Sequence, residues 1–134
     1  SMQSLHNIAL PPFKAAVDAG VASIMNGFND LNGVPVTANR YLQRDILKSR
    51  WGFKGFVVSD FNSTVELVTH GYSPNLKSAA QAAFNAGSDM EMDSRAYERN
   101  LNQLIAEGAV SVEDLDDAVK RILKVKYDLG LFDL

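Results

Sequence analysis

Apolar residues recur along this chain with two different periods, and the periods alternate. Leu42, Ile46, Leu47 and Trp51 fall at the three-and-four spacing that lines one side of a helix, so NRYLQRDILKSRWG predicts a helix with Gly52 at its end. PPFKAAVDAG predicts an earlier helix, opened by Pro11-Pro12 where a missing N–H costs little and stopped by Gly20. LKSAAQAAFNAG predicts an alanine-rich helix ending at Gly87. RAYERNLNQLIAEG and VEDLDDAVKRILKVKYDLG predict two more, the second announced by Ser111 with Asp114 three residues on, a capping-box variant. Between the helices, VASIMNG (Val21 to Gly27), FKGFVVSD and Ser88 to Met92 are short apolar runs of the kind that form strands buried on both faces. NDLNGVPVTA reads as a polar loop.

This alternation predicts an α/β fold with three parallel strands, because parallel neighbours require a crossover and a helix usually supplies it. Right-handed crossovers bring the carboxyl ends of all three strands to one side, with the strand of Asp60 in the middle and Asp60 on one rim with Phe28 and Met92. Three strands leave two open edges. The chain therefore reads either as a small open sandwich or as part of a larger closed barrel.

Composition narrows the function classes. With 134 residues, 46% hydrophobic and 22% charged, the chain has ordinary globular content for one domain. A formal net charge of -3 without a basic run predicts no nucleic-acid partner and no anionic membrane drawn by charge. No run reaches the ~18 apolar residues of a membrane span, and no charged-then-apolar leader is expected. The absence of cysteine removes disulfides and thiolate metal sites, and His6 and His70 are too far apart in sequence for a local metal motif. Neither metal nor cofactor is expected.

Candidate chemistry gathers at the strand ends, where loops of parallel α/β folds converge. Asp60 closes the second apolar run, Asn26, Phe28 and Asn29 follow the first, and Glu91, Met92 and Asp93 close the third. A carboxylate fixed on a strand end can attack the anomeric carbon of a sugar. It can equally cap the following helix, and spacing alone leaves both roles open. Met25, Met90 and Met92 could line a sugar pocket or fill core space. Whether Glu91 faces inward depends on strand register. His70 reads as a surface residue, and the acidic-to-basic series from Glu113 to Lys126 reads as a helix complementing its own dipole.

The order IMNGFNDLNGVPVTAN, LQRDILKSRWGFKGFVVSDF, HGYSP, AFNAGSDMEMD and VEDLDDAVKRILKVKYDLGLF resembles the C-terminal half of the catalytic (β/α)8 barrel of glycoside hydrolase family 3, the β-glucosidase and β-xylosidase group. The likeness runs from about Leu10 to Phe132. It implies a single fragment, residues 1–134, forming half of a TIM barrel, with Asp60 as the nucleophile of a retaining mechanism and a β-glucoside as substrate. Phe61 stands where the family most often has Trp, and Gly27-Phe28 stand where it has Ser-Tyr, so Phe28 keeps the ring and loses a hydroxyl. Met25, Phe28, Phe61 and Met92 become the expected sugar contacts. The family's general acid comes from outside the matched region, so the isolated chain is expected to be inactive, to pair with a second copy through its open sheet, and to belong to a periplasmic or secreted parent. A saccharide-binding module without turnover and a purely structural fragment are the alternatives.

Overall fold

The structure, a computed structural model, describes residues 1–133. It opens on a helical run built from α1 (Met2–Ser4), a π-helical stretch Leu5–Ala9, and α2 (Leu10–Asp18). Pro11 and Pro12 occupy the first turn of α2, where their fixed φ is already helical. The run extends further toward the amino terminus than Pro11-Pro12 suggested. The wider π turn carries it there, because the N–H of Leu10 reaches back to the carbonyl of Leu5 before the prolines interrupt the ladder.

After Gly20 come β1 (Ser23–Asn26), a hairpin of β2 (Asp30–Leu31) and β3 (Val34–Pro35), a 3-10 turn at Val36–Ala38 and a π-helical segment Tyr41–Arg50. Then follow β4 (Phe56–Phe61), α3 (Ser63–Thr69), α4 (Leu76–Ala86), β5 (Met90–Met92), α5 (Ala96–Ala106) and α6 (Val112–Asp128). The main sheet has the order β1-β4-β5, and both pairs are parallel, as the alternation of periods predicts. β4 is the central strand.

Two elements differ from expectation. The loop expected at NDLNGVPVTA contains the β2–β3 hairpin, closed by Asn32 and Gly33 with φ of 54° and 82°. Paired left-handed residues are what a tight hairpin turn requires, and Asn-Gly is its strongest sequence signal. Asp30 reinforces the turn by accepting from the Gly33 N–H at 2.9 Å. The helix that Asp60 could have capped is the short α3, whose bounds were not expected because seven residues give too little periodicity to stand out.

One face of the sheet is covered by helices. Leu67, Ala79, Ala80, Ala83, Phe84, Tyr97 and Leu104 form the main core, and the alanines of α4 are there because they let α5 approach closely. The ring of Phe84 meets Tyr97 edge-on at 5.3 Å. Leu47, Phe53 and Val57 form a second cluster. Charged side chains tie these layers together. Arg121 of α6 donates to the carbonyls of Phe53 and Gly55 at 2.8 and 3.0 Å, and Arg44 reaches the Asn85 carbonyl at 2.8 Å and Asp114 at 3.0 Å. Lys48 and Asp89 form an almost fully buried ion pair at 2.6 Å, and the second oxygen of Asp89 accepts from the Val57 N–H at 2.8 Å. Burial pushes the Asp89 carboxyl up and the Lys48 ammonium down, and their mutual contact opposes both shifts.

Candidate functional site at the carboxyl end of the sheet

Alternation along β4 buries Val57 and Ser59 on the helix-covered face and turns Phe56, Val58 and Asp60 toward the other. On β1 the register places Met25 beside Val58 and Asn26 beside Ser59. Asn26 is therefore buried, whereas Met25 remains 49% exposed on the uncovered face.

Behind the rim lies a buried polar network. The Asn26 amide donates to Gln43 Oε1 at 3.0 Å and to Ser88 Oγ at 3.2 Å. Gln43 donates to the carbonyls of Val36 and Thr37 at 2.8 and 3.0 Å. Thr37 Oγ1 lies 3.0 Å from the Gly27 carbonyl and 3.1 Å from Ser63 Oγ. These bonds link the end of β1, the exit of the hairpin, the start of α3 and the approach to β5. Buried polar groups satisfied in this way hold loops in one arrangement.

Asp60 sits in an irregular segment. Val58 pairs with Met90 and Phe61 with Met92, so three steps along β4 match two along β5. The extra residue makes a bulge, a device that re-aims a side chain at a strand end. Ser59 bridges the gap. It is fully buried, its Oγ accepts from the Met92 N–H at 2.8 Å, and its hydroxyl lies 3.0 Å from the Asp60 carbonyl. The Met92 carbonyl then takes the N–H groups of Asn62 at 3.0 Å and Ser94 at 2.9 Å. The Asp60 carboxylate accepts only from the Phe61 N–H, at 2.7 Å, and its Oδ2 has no hydrogen bond among the described residues. It is half-buried. The residue at the N-cap of α3 is Asn62, in the left-handed region at φ 59°, so the helix-capping role is not the one Asp60 takes.

The other expected contacts fall on the same end of the sheet. Phe28 follows β1 and is 44% exposed, Phe61 closes β4 at 58%, and Met92 closes β5 half-buried. Glu91, whose direction the sequence left open, turns to α5, where Oε1 accepts from the Tyr97 N–H at 2.8 Å while the buried Oε2 has no partner among the described residues. Burial pushes its carboxyl up, and the backbone N–H groups of Tyr97 and Ala96 oppose this. Asp93 and Arg95 beside it both have positive φ, 67° and 52°, so the turn after β5 is held in a costly conformation. The Tyr97 phenol, buried and donating to the Ser88 carbonyl at 2.9 Å, is also pushed up by burial. His70 is exposed, as expected. No cluster of three metal-ligating side chains occurs among the described residues, and no helix among them is long and apolar enough to cross a membrane. Sequence reasoning missed Ser59 as a bridge and Tyr72 as a neighbour of Phe28. The first depends on a bulge that no periodicity announces.

Residues 1–125 match the family described as glycosyl hydrolase family 3 N terminal domain. A periplasmic β-glucosidase of Salmonella typhimurium is 44% identical over 99% of this chain, and a β-xylosidase of Formosa agariphila is 42% identical over 99%. The crystal structure of a β-glucosidase from Listeria innocua in complex with glucose superposes with a TM-score of 0.96 at 41% identity over 99% of this chain. The chain spans only 17%, 20% and 18% of these three proteins' lengths.

Proposed function

The chain belongs to the glycosyl hydrolase family 3 N-terminal domain family, and from that premise we propose that it supplies the nucleophile Asp60 to a retaining β-glycosidase acting on terminal β-glycosides. The observation that carries this reading is the setting of Asp60: the end of the central strand, re-aimed by a bulge, with one carboxylate oxygen uncommitted. In such a reaction the Asp60 oxygen bonds to the anomeric carbon as the bond to the leaving oxygen breaks. A general acid about 5–5.5 Å away protonates that oxygen, and water later hydrolyses the glycosyl-enzyme. Glu91 is engaged at the start of α5 and is not available for this role, and in this reading the acid is supplied from outside this chain. Met25, Phe28, Phe61 and Met92 supply apolar surface to the sugar.

Residues 1–134 then act as the C-terminal half of a barrel, completed by chain that lies outside this sequence. Alone, the chain is catalytically silent. Its uncovered sheet face, with Met25 and Phe61 exposed, favours pairing with a second copy. The name of the Salmonella relative supports a periplasmic or secreted setting for the whole enzyme. The test is Asp60→Asn in the whole enzyme, which should lower turnover of an aryl β-glucoside by roughly 10⁴-fold or more without altering circular dichroism. Unchanged turnover would overturn the assignment.

A further inference from the structure

The dipeptide Asn-Gly occurs twice in this chain, at Asn26-Gly27 and at Asn32-Gly33. Glycine has no Cβ to shield the backbone nitrogen that follows an asparagine, so that nitrogen is open to approach by the asparagine's own side-chain carbon. The fold treats the two copies in opposite ways. Asn26 closes β1 at 5% exposure, its amide donates to Gln43 Oε1 at 3.0 Å and Ser88 Oγ at 3.2 Å, and its Oδ1 accepts from Thr37 Oγ1 at 3.4 Å. It cannot turn toward the Gly27 nitrogen without breaking that network.

Asn32 stands at the tip of the β2–β3 hairpin and is exposed, as are Gly33 and Asp30. Its one side-chain hydrogen bond among the described residues is weak, from Nδ2 to Met2 Sδ at 3.6 Å, and Met2 belongs to the opening helical run in which nothing is buried. The carboxylate of Asp30 sits on the opposite partner in the reaction. The Gly33 nitrogen already gives its hydrogen to Asp30 Oδ2 at 2.9 Å, so a base is in place on the atom that would attack.

We propose that Asn32 is a site of spontaneous deamidation, with water as the reactant and Asp30 as the base. The Asp30 carboxylate takes the proton of the Gly33 nitrogen, that nitrogen bonds to Asn32 Cγ, and the side-chain nitrogen leaves as ammonia with the proton returned to it. A cyclic imide remains. Water then opens the ring: cleavage between the nitrogen and Cγ leaves aspartate, and cleavage between the nitrogen and the main-chain carbonyl carbon leaves isoaspartate, whose backbone runs through Cγ. Isoaspartate adds an atom to the main chain of a turn that both left-handed residues are needed to close, so Asp30 and Leu31 lose their register with Pro35 and Val34. The hairpin leads directly into Thr37, which holds the Gly27 carbonyl and Ser63, and the change is felt at the exits of β1 and β4.

The test ages the whole enzyme in mildly alkaline buffer made with ¹⁸O water and maps its peptides by mass spectrometry. Labelled aspartate and isoaspartate should appear at Asn32 at least about tenfold faster than at Asn26, because only Asn26 is held by buried partners. In urea the two should convert at similar rates. Asp30→Asn keeps an acceptor for the Gly33 N–H and removes the base, so it should slow conversion of Asn32 several-fold in the native enzyme and leave the rate in urea unchanged. Wild-type circular dichroism of that variant establishes that it folds. Equal rates at Asn26 and Asn32 in the native enzyme, a preference for Asn32 that persists in urea, absence of label at Asn32, or a native rate untouched by Asp30→Asn would each overturn the assignment.

Discussion

The two sides of β4 are built differently. Toward β1 the pairing is continuous, from Ser23 beside Phe56 to Asn26 beside Ser59, and backbone alone sets it. Toward β5 the register slips, a side-chain hydroxyl stands in for a backbone acceptor, and a buried ion pair fixes the approach through Val57. The regular side holds the strand in place. The irregular side decides where the carboxylate at its end points, so fold and candidate chemistry are carried by opposite edges of one strand.

The most disruptive way to break the regular side is Gly55→Ala. A Cβ there would lie 2.0 Å from the Ala22 carbonyl oxygen, which must give way although it accepts from the Phe56 N–H. The expected loss exceeds about 4 kcal/mol in urea unfolding, enough to abolish the cooperative transition in a marginal domain. A folded, near wild-type variant would mean that β1 and β4 tolerate separation at their start.

On the irregular side, Lys48→Met should cost about 3 kcal/mol, because it strands the Asp89 charge away from water. Adding Asp89→Asn to it should recover part of that loss, and a double variant no better than the single one would count against the ion pair. Ser59→Ala is expected to cost less, about 1–2 kcal/mol, by leaving the Met92 N–H without its acceptor. In the whole enzyme it should lower turnover more than it weakens binding, since it moves Asp60 rather than the sugar contacts. A Ser59→Ala enzyme that kept its kcat while KM rose would show that the bulge has no special role.

The smallest effect concerns Glu91. Its carboxyl is raised in the folded chain, so it favours folding most at low pH and that contribution fades as pH rises through the folded value. Wild type should therefore lose stability relative to Glu91→Gln between about pH 4 and neutrality. Parallel stability curves for the two proteins, from urea titrations across that range, would remove burial as the controlling influence.

These contrasts also explain what could be read beforehand. Regular features announce themselves locally: the apolar run Phe56-Val57-Val58 marks a strand, Gly87 at φ 110° ends α4, and the Ser111 side chain caps α6 by accepting from the Asp114 N–H. The parallel order β1-β4-β5 follows from alternation and handedness. The hairpin was read as a loop, because its two-residue strands are too short to show a period even though Asn32-Gly33 is a turn signal. The bulge was not legible. It arises from Ser59 reaching a residue 33 positions away, and nothing near Ser59 in sequence points to Met92. Likewise the direction of Glu91 depends on where α5 begins, which is fixed by tertiary packing.

The opening helical run has a consequence of its own. From Met2 to Asp18 none of its residues is buried, and a cavity of about 230 Å³ lies between it and β1. Little apolar surface resists its departure, and short helices in water are marginal on their own. Its amides therefore exchange with solvent hydrogen through local fraying at almost no free-energy cost, whereas those of β4 and α4 wait for the whole chain to open. The molecule has two clocks, and a protease brought to the native protein meets the faster one first.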